Sequence, residues 1–519
     1  MNDATNNDDD AQKQIRGSTL LLVGRLLALL INLAVQVLIV RYLSKTDYGA
    51  FAFAIVMVTL ATNVSIFGLN KSLARFVSIY HEREEFGRMA GTIIMVLATV
   101  AGIGVAIVLC VFTFQSAIAD HVVSSPSSAV LLLALIALAP IDAIDAILRY
   151  TFGAFGAVRT VFFRRHIVGP TLRLLAVLAV ILFQGSVHNL AIYYVIAGVA
   201  GVLLYVVALI GTLRREDLLK HFRPSKLEFP VREVFGFNTP LVVSQLSMLF
   251  RGSLVVLMLE MMLDSTAVAE YRAVLPFARL NLVVITSFTF LFTPLASRML
   301  ARSDKESINC LYWTSCIWVA VLTLPLLLIT SVFAEPLTLF MLGDRYASSS
   351  VILTLLAIGF FADAAFGFAV QTLRVHAKLR YILLTDVTSI LWALGLLFYL
   401  IPRYGATGAA ISAASTMVFQ NVSHMFWMRR TTGYGAINWR YAKVYIGIAG
   451  VVAILLAIQL TFHPPLAVDL VLIAIASLVL VYANRELLEA DRIFPELLRL
   501  PIVGRMLVPA SMKQSETTL

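Results

Sequence analysis

Charged and amide side chains set deep inside long apolar runs are the residues of this chain best placed to do chemistry. Arg25, Asn32 and Gln36 lie on or near one helical face of the run 17–42, at offsets of seven and eleven residues. Arg25 stands nine residues into that run, about 13 Å along a helix axis. A polar stripe of this kind normally faces the interior of a bundle; for Arg25 the alternative is partial snorkelling to the interface. Arg251 lies about seventeen residues into the run 234–262, where an unpaired arginine costs at least ~2.5 kcal/mol. It therefore needs either a polar cavity or an internal acid, for which Asp142 and Asp363 are the candidates. Arg279 sits at a similar depth in the run 270–297. A guanidinium offers a planar fork that grips phosphate in two places. Gln245 adds an amide, which in a buried helix serves either a cavity or an interhelical hydrogen bond.

The deepest acids are Asp142 and Asp363. Asp142 follows Pro140 by two residues, where a kink frees backbone carbonyls. Asp363 lies in GFFADAAFGF between Gly359 and Gly367, small residues that let another helix come close. Either acid can carry a coupling proton or neutralise an arginine. Asp145 pairs with Arg149 at i+4. Arg173 and Arg272 read as residues that snorkel, and Glu260, Glu270 and Asp386 as interfacial side chains with structural roles.

Bond-making chemistry has no such support. Cys110, Cys310 and Cys316 are the three cysteines, all in apolar stretches and without CxxC or metal-ligand spacing. There is no GxxxxGK[ST] phosphate loop. No catalytic residue, metal or cofactor is expected, and the chain is not expected to be an enzyme.

The elements that hold these residues follow from composition. Of 519 residues, 60% are hydrophobic and 13% charged, against about 25% charged in a soluble domain. That leaves too little polar sequence to coat a soluble enzyme, and it excludes a disulfide scaffold and a nucleic-acid binder. Fourteen runs are long enough, at about 20 residues, to cross a bilayer as helices: 17–42, 48–70, 89–114, 129–150, 167–184, 189–212, 234–262, 270–297, 308–333, 349–373, 381–402, 405–428, 442–462 and 466–484. None alternates as a barrel strand does. With the N-terminus inside, 31 of the 40 Lys and Arg residues fall on the inner side and only Arg41, Lys45, Arg345 and Arg403 on the outer. This asymmetry is the positive-inside rule at work, and it explains the net charge of +10. The fold class is therefore an all-α polytopic membrane protein with both ends inside. Residues 1–15 read as a disordered cytoplasmic tail, 213–233 as a cytoplasmic linker and 487–519 as a cytoplasmic amphipathic tail on the inner leaflet.

Three stretches carry a resemblance. They are Arg41-Tyr-Leu, Asp47-Tyr48-Gly49, Gly68-Leu69 and Ala74-Arg75-Phe76 within 41–78; Pro336, Gly343 and Tyr346 within 335–361; and Pro402, Tyr404, Gly405 and Gly408 within 401–415. In this order and spacing they are similar to the Wzx-type oligosaccharide repeat-unit flippases of the MOP superfamily. The resemblance implies two six-helix bundles, 16–212 and 234–430, facing each other in a V, with two additional transmembrane helices in 431–486. It implies alternating access through a central cavity, for which the deep residues above supply a cationic lining of Arg25, Arg251, Arg279, Asn32, Gln36 and Gln245, with Asp142 and Asp363 available for ion coupling. It implies an undecaprenyl-diphosphate type of lipid-linked oligosaccharide, moved from inner to outer leaflet of the bacterial cytoplasmic membrane for surface polysaccharide biosynthesis. The partners implied are that lipid, the membrane lipids, and polysaccharide polymerase and assembly proteins, with no nucleic acid. Two other readings stand beside it: a MATE-like ion-coupled drug exporter, which should line its path with acids and aromatics, and a polyprenyl-linked glycan polymerase or ligase, which should carry a large outer loop.

Overall fold

The computed structural model describes residues 24–222, 224–435, 439–462 and 464–488; within these, the side chains of 158, 224, 239–251, 439, 440, 466 and 486 fall outside the description. The tail 1–15 and nearly all of 487–519 also lie outside it. Every regular element among the described residues is helical, with no strand, as long runs without alternation require.

The chain forms two compact units, Met1–Arg272 and Ala273–Leu519. The first holds α1 (Gly24–Tyr42), α2 (Lys45–Ile66), α3 (Leu69–Glu82), α4 (Phe86–Thr113), α5 (Gln115–His121), α6 (Pro126–Leu135), α7 (Leu138–Ala154), α8 (Val158–Phe163), α9 (Gly169–Leu182), α10 (Val187–Arg215), α11 (Val231–Met262) and the start of α12 (Ser265–Ala278). Local chemistry sets the breaks. Ser44 caps α2 by accepting the Asp47 N–H at 3.0 Å. Phe67 and Gly68 are both left-handed and separate α2 from α3. Ser125 caps α6, with Pro126 at its first turn. A single π turn, Arg164–Val168, joins α8 to α9 just ahead of Pro170, a ring that cannot donate to the ladder.

The core of this unit runs through Leu69, Leu73, Tyr80, Ile93, Val100, Ile147, Phe152, Tyr205 and Val234. Helix α11 is tied to the helices before it. The Asn238 amide donates to the Phe67 carbonyl at 2.7 Å, and the Tyr80 hydroxyl donates to Glu233 at 2.7 Å. At the other end of the unit, Lys45 pairs with Glu270 at 2.6 Å. There Gly49 makes the packing possible, because any Cβ would overlap the Ser265 carbonyl oxygen.

The second unit continues α12 through a 3₁₀ turn at Arg279–Leu282 into α13 (Val283–Ala301), then α14 (Lys305–Ser331), α15 (Ala334–Leu342), α16 (Ser349–Phe366), α17 (Phe368–Val375), α18 (Leu379–Thr432), α19 (Trp439–Phe462), α20 (Leu466–Ala483) and α21 (Arg485–Leu488). Gly359 meets Ala414 and Gly367 meets Ile285, so both glycines flanking Asp363 admit a neighbouring helix as their spacing predicts. The indole of Trp318 donates to the Leu488 carbonyl at 2.9 Å.

Eleven helices among the described residues are long and apolar enough to cross a membrane, against fourteen runs in the sequence. The difference has three sources. α18 is one 54-residue helix by hydrogen bonding, broken at Gly405 (φ 58°) just past Pro402. In α11 the side chains of 239–251, and in α20 that of 466, lie outside the described residues, so only Gly252–Met262 and Ala467–Ala483 are counted there. The outward faces are those of a protein in an apolar solvent. Only 22% of the apolar window of α4 is buried, and Leu182, Phe183, Phe290 and Phe462 are each more than 70% exposed. Water would not tolerate that much contiguous apolar surface; lipid does.

Candidate functional site

The first unit collects far more charge than its apolar composition suggests. Asp145, on α7, is its anchor. Its carboxylate accepts from Arg149 at 3.2 Å, one turn along, and from Arg164 at 2.6 Å. The i+4 pair is the expected one. Arg164 is an addition that the sequence does not announce, since 19 residues separate it from Asp145. The guanidinium of Arg164 also donates through Nε to the Gly201 carbonyl at 3.3 Å and lies 5.3 Å from the centre of the Tyr205 ring. Gly201 has no side chain because the guanidinium occupies that space.

The π turn carries two further bases, Arg165 and His166. At the start of α1, Gly24 lies flat against the ring of Phe162, which brings Arg25 to the same place. Arg25 acts electrostatically on both Arg165 and His166, and Arg149 acts on Arg165. Among the described residues no ion pair is made by Arg25 or Arg165. Asp142 lies within the field of Arg173, Asp145, Arg164 and Arg149, with Arg173 foremost. Three arginines (149, 164 and 173) thus act on two aspartates (142 and 145), and Arg25 and Arg165 adjoin this group through Arg149, five cations against two acids in the region.

From this cluster a line of polar groups continues through the unit. Arg173 acts on Tyr194, and Tyr194 is coupled to Tyr48. The Tyr48 hydroxyl accepts from the Gln36 amide at 2.5 Å. Arg272 acts on Tyr48, and its carbonyl accepts a second, longer bond from Gln36 at 3.4 Å. The Nε–H of Arg272 is buried without a hydrogen-bond partner among the described residues. The order Arg25–Arg165–Arg149–Asp145–Arg164–Asp142–Arg173–Tyr194–Tyr48–Arg272 follows hydrogen-bonded ion pairs at Arg149–Asp145–Arg164 and longer-range electrostatic interaction elsewhere. Chemically it is a ladder of cationic donors and hydroxyls. It suits an oxyanion that exchanges one set of donors for the next, and it offers no nucleophile with a base beside it.

The other expected site residues fall as follows. Asn32 is exposed and returns its amide to the Ala28 carbonyl of its own helix at 2.7 Å. Arg251 and Gln245 lie on α11, but their side chains lie outside the described residues. Arg279 and Asp363 belong to the second unit. Arg279 opens the 3₁₀ turn and is exposed; Asp363 accepts from Asn421 at 3.0 Å. Two acids read as lying near an interface are also covered by protein. Glu260 is wholly buried, and Asp386 is 5% exposed and accepts from Gln420 at 2.9 Å. Distance from a run's end gives depth alone; neighbouring helices cover both. A separate depression of 410 Å³ lies among Glu84, Arg88, His221, Lys226 and Glu228; its charges are mixed and none of the ladder residues lines it.

An all-helical chain with this apolar exterior and an internal cationic ladder has the build of a multi-pass membrane transporter. The polysaccharide biosynthesis protein family matches residues 15–300, more than half the chain, and the chain belongs to that family, in agreement with its motifs. No match was found among the curated proteins. Among solved structures the fold is similar to "Lipid II flippase MurJ, inward closed conformation", with a TM-score of 0.68 at 13% identity, covering 91% of this chain and 100% of that one. It is also similar to an inward-facing multidrug resistance MATE family transporter of the MOP superfamily, with a TM-score of 0.63 at 14% identity, covering 78% of this chain and 94% of that one. A MATE transporter from Vibrio cholerae, VcmN, follows at 0.54 and 18% identity, covering 82% and 98%. These likenesses show the MOP-type transporter fold.

Proposed function

We propose that this protein flips a polyprenyl-diphosphate-linked oligosaccharide repeat unit from the inner to the outer leaflet of the bacterial cytoplasmic membrane, for surface polysaccharide biosynthesis. The observation that carries the reading is the surplus of cations around Asp142 and Asp145. A path for a cationic drug would carry acids in excess; here arginines outnumber acids five to two. An anionic headgroup is the cargo this field favours.

The physical task is to carry a diphosphate and its sugars across about 30 Å of hydrocarbon. In this reading Arg25 and Arg165, both without an ion pair among the described residues, receive the diphosphate on the inner side. Arg251, on α11, is the further cation that the sequence offers for this step. Arg149 and Arg164 stay committed to Asp145, whose charge offsets part of their mutual repulsion. Arg173, the tyrosines and Gln36 offer donors to phosphate and sugar hydroxyls along the way, Arg272 stands near the exit, and Arg279 attracts the departing headgroup. Alternating access moves the headgroup while the polyprenyl tail stays in lipid. A difference in affinity between the two access states drives net movement, with Asp142 and Asp363 as the acids offered for ion coupling.

The test is made on membranes of a deletion strain. Extracted polyprenyl lipids are measured by mass spectrometry, with an impermeant glycosidase added to spheroplasts to report the leaflet. Accumulated glycans protected from the enzyme support flipping, and their mass names the substrate. No accumulation, with altered drug sensitivity, would replace the reading with that of an exporter. Accumulated glycans digestible from outside would place the protein after flipping, in polymerisation or ligation.

A further inference from the structure

At the end of the second unit that the charge asymmetry of the loops assigns to the cytoplasm, the two arms of α18 meet in a column of rings and bases. Tyr381 lies near the start of the first arm and Trp427 near the end of the second, and their rings stack at 4.6 Å. Phe426 meets Trp427 edge-on at 5.2 Å. The Arg380 guanidinium lies 4.7 Å from the centre of the Tyr381 ring and donates to the Tyr381 hydroxyl at 2.8 Å. That hydroxyl keeps its own hydrogen to donate. The Arg430 guanidinium lies 6.0 Å from the Trp427 ring. Contact with a ring face steadies a guanidinium and leaves its N–H groups for another acceptor. Both arginines are exposed, and neither makes an ion pair among the described residues.

The surrounding chain brings no counter-charge. Residues 364–468 hold eight Lys and Arg residues and one acid, Asp386, which is buried and accepts from Gln420 at 2.9 Å. Deeper along both arms the surface turns apolar. Leu384, Val387 and Leu391 share one face of the first arm, and Phe426, Val422 and Val418 one face of the second; all six are exposed. Trp392 and Phe419 stack at 5.1 Å across the two arms. Exposed rows of this kind suit hydrocarbon and not a watery path.

We propose that this face of α18 binds anionic glycerophospholipids of the inner leaflet, with phosphate on the guanidinium groups of Arg380 and Arg430 and acyl chains along the two apolar rows. The arginine fork suits phosphate, and basic groups on the inner side of membrane helices recognise anionic headgroups. The missing acids set the choice of lipid. A zwitterionic head brings an ammonium group that no carboxylate here receives, whereas an anionic head leaves no charge unmet. Orientation in the membrane needs only bases in the loops. It does not call for two arginines laid on a stacked ring pair above an apolar strip. At the opposite end of the hairpin there is one cation, Arg403, 3.6 Å from the Tyr399 ring, so the lipid preference belongs to the inner end.

The test uses the full chain in nanodiscs of zwitterionic lipid, with brominated phosphatidylglycerol or brominated phosphatidylcholine added in rising mole fraction. Bromine in an acyl chain quenches tryptophan on contact. The difference between the wild type and Trp427→Phe, which keeps a ring in the stack, isolates Trp427. No lipid-linked glycan is needed, so the result is independent of the flipping assay. Each arginine should favour the anionic lipid about fivefold, so phosphatidylglycerol should quench Trp427 with at least about fivefold the apparent affinity of phosphatidylcholine. Arg380→Gln/Arg430→Gln should bring that ratio to about one, and Arg403→Gln should leave it unchanged. Equal quenching by the two lipids in the wild type, or a preference that survives the double variant, overturns the proposal. So does loss of the preference on adding polyprenyl diphosphate at a mole fraction matched to the protein, which would make the face a docking place for that lipid instead. If the double variant does not fold, the wild-type ratio and a comparison of Arg430→Lys with Arg430→Gln decide it: equal affinities for the two lipids, or no difference between lysine and glutamine, is refutation.

Discussion

Removing the Asp145 carboxylate should cost the first unit more stability than any other single charge deletion in it. Asp145 is 14% exposed and Arg164 15%, with their charged atoms 2.6 Å apart. At an effective dielectric of about 20, unit charges about 4 Å apart attract by about 4 kcal/mol. Desolvation offsets much of that when the pair forms, but it is not recovered when one partner is removed. Breaking a buried pair costs about 3–5 kcal/mol, because the remaining charge stays buried. The residual exposure argues for the lower figure, so Asp145→Ala should lose roughly 3 kcal/mol, about two decades in the folding equilibrium. Arg149 is 33% exposed and turns to solvent at little cost. The double variant Asp145→Ala/Arg164→Met should recover most of the loss, since it removes both charges and keeps apolar volume against Tyr205. The assay is unfolding of purified protein against a denaturing detergent, with the two single variants completing a double-mutant cycle. Additive single losses, or a loss under ~1 kcal/mol for Asp145→Ala, would show that Arg164 is solvated and that the ladder has no fixed anchor.

Three other outcomes are expected. Arg25→Ala, Arg165→Ala and Arg251→Ala should each abolish or sharply reduce surface polysaccharide while the protein still inserts, and lysine at 165 should restore it only in part, because charge returns without the planar fork; normal polysaccharide in all three would sink the cationic-path assignment. Gly49→Ala should force α2 away from the Ser265 carbonyl and lower stability by about 1–3 kcal/mol, read in the same detergent titration. Asp304 caps α14, and its carboxyl is held below the ordinary value of 3.8 by the Ser307 N–H and then the Ser307 hydroxyl. Its folded value is depressed, so its contribution is fully present above pH 3.8 and is lost as pH falls through the lower folded value. Melting curves of Asp304→Asn and wild type should therefore differ at neutral pH and converge in acid.

How much of this could be read from the chain itself differs between fold and site for physical reasons. The helices were legible because a bilayer demands long apolar runs, and such runs exist in few forms. Gly359 and Gly367 were legible for the same reason, since a missing side chain at one-turn spacing has few uses. The Asp145–Arg149 pair was legible because both partners lie on one helix. Arg164 and Arg165 were not. They stand near the end of a run, where sequence reasoning counts a base towards orientation and lets its side chain reach the interface. What redirects them is the π turn before Pro170 and the empty faces of Gly24 and Gly201, against which Phe162 and the Arg164 guanidinium pack. A glycine in an apolar run opposite a base twenty to forty residues away is a signal of that kind, but it has meaning only once the helices are paired. The burial of Glu260 was not legible for the converse reason. Depth along its own helix put it at an interface, and nothing local showed that Ser124, Ser128 and Ser265 from two other elements would close over it. Burial of a polar side chain is a property of the neighbours it meets, so the charged residues enclosed between helices are those that helix-by-helix reading ranks lowest.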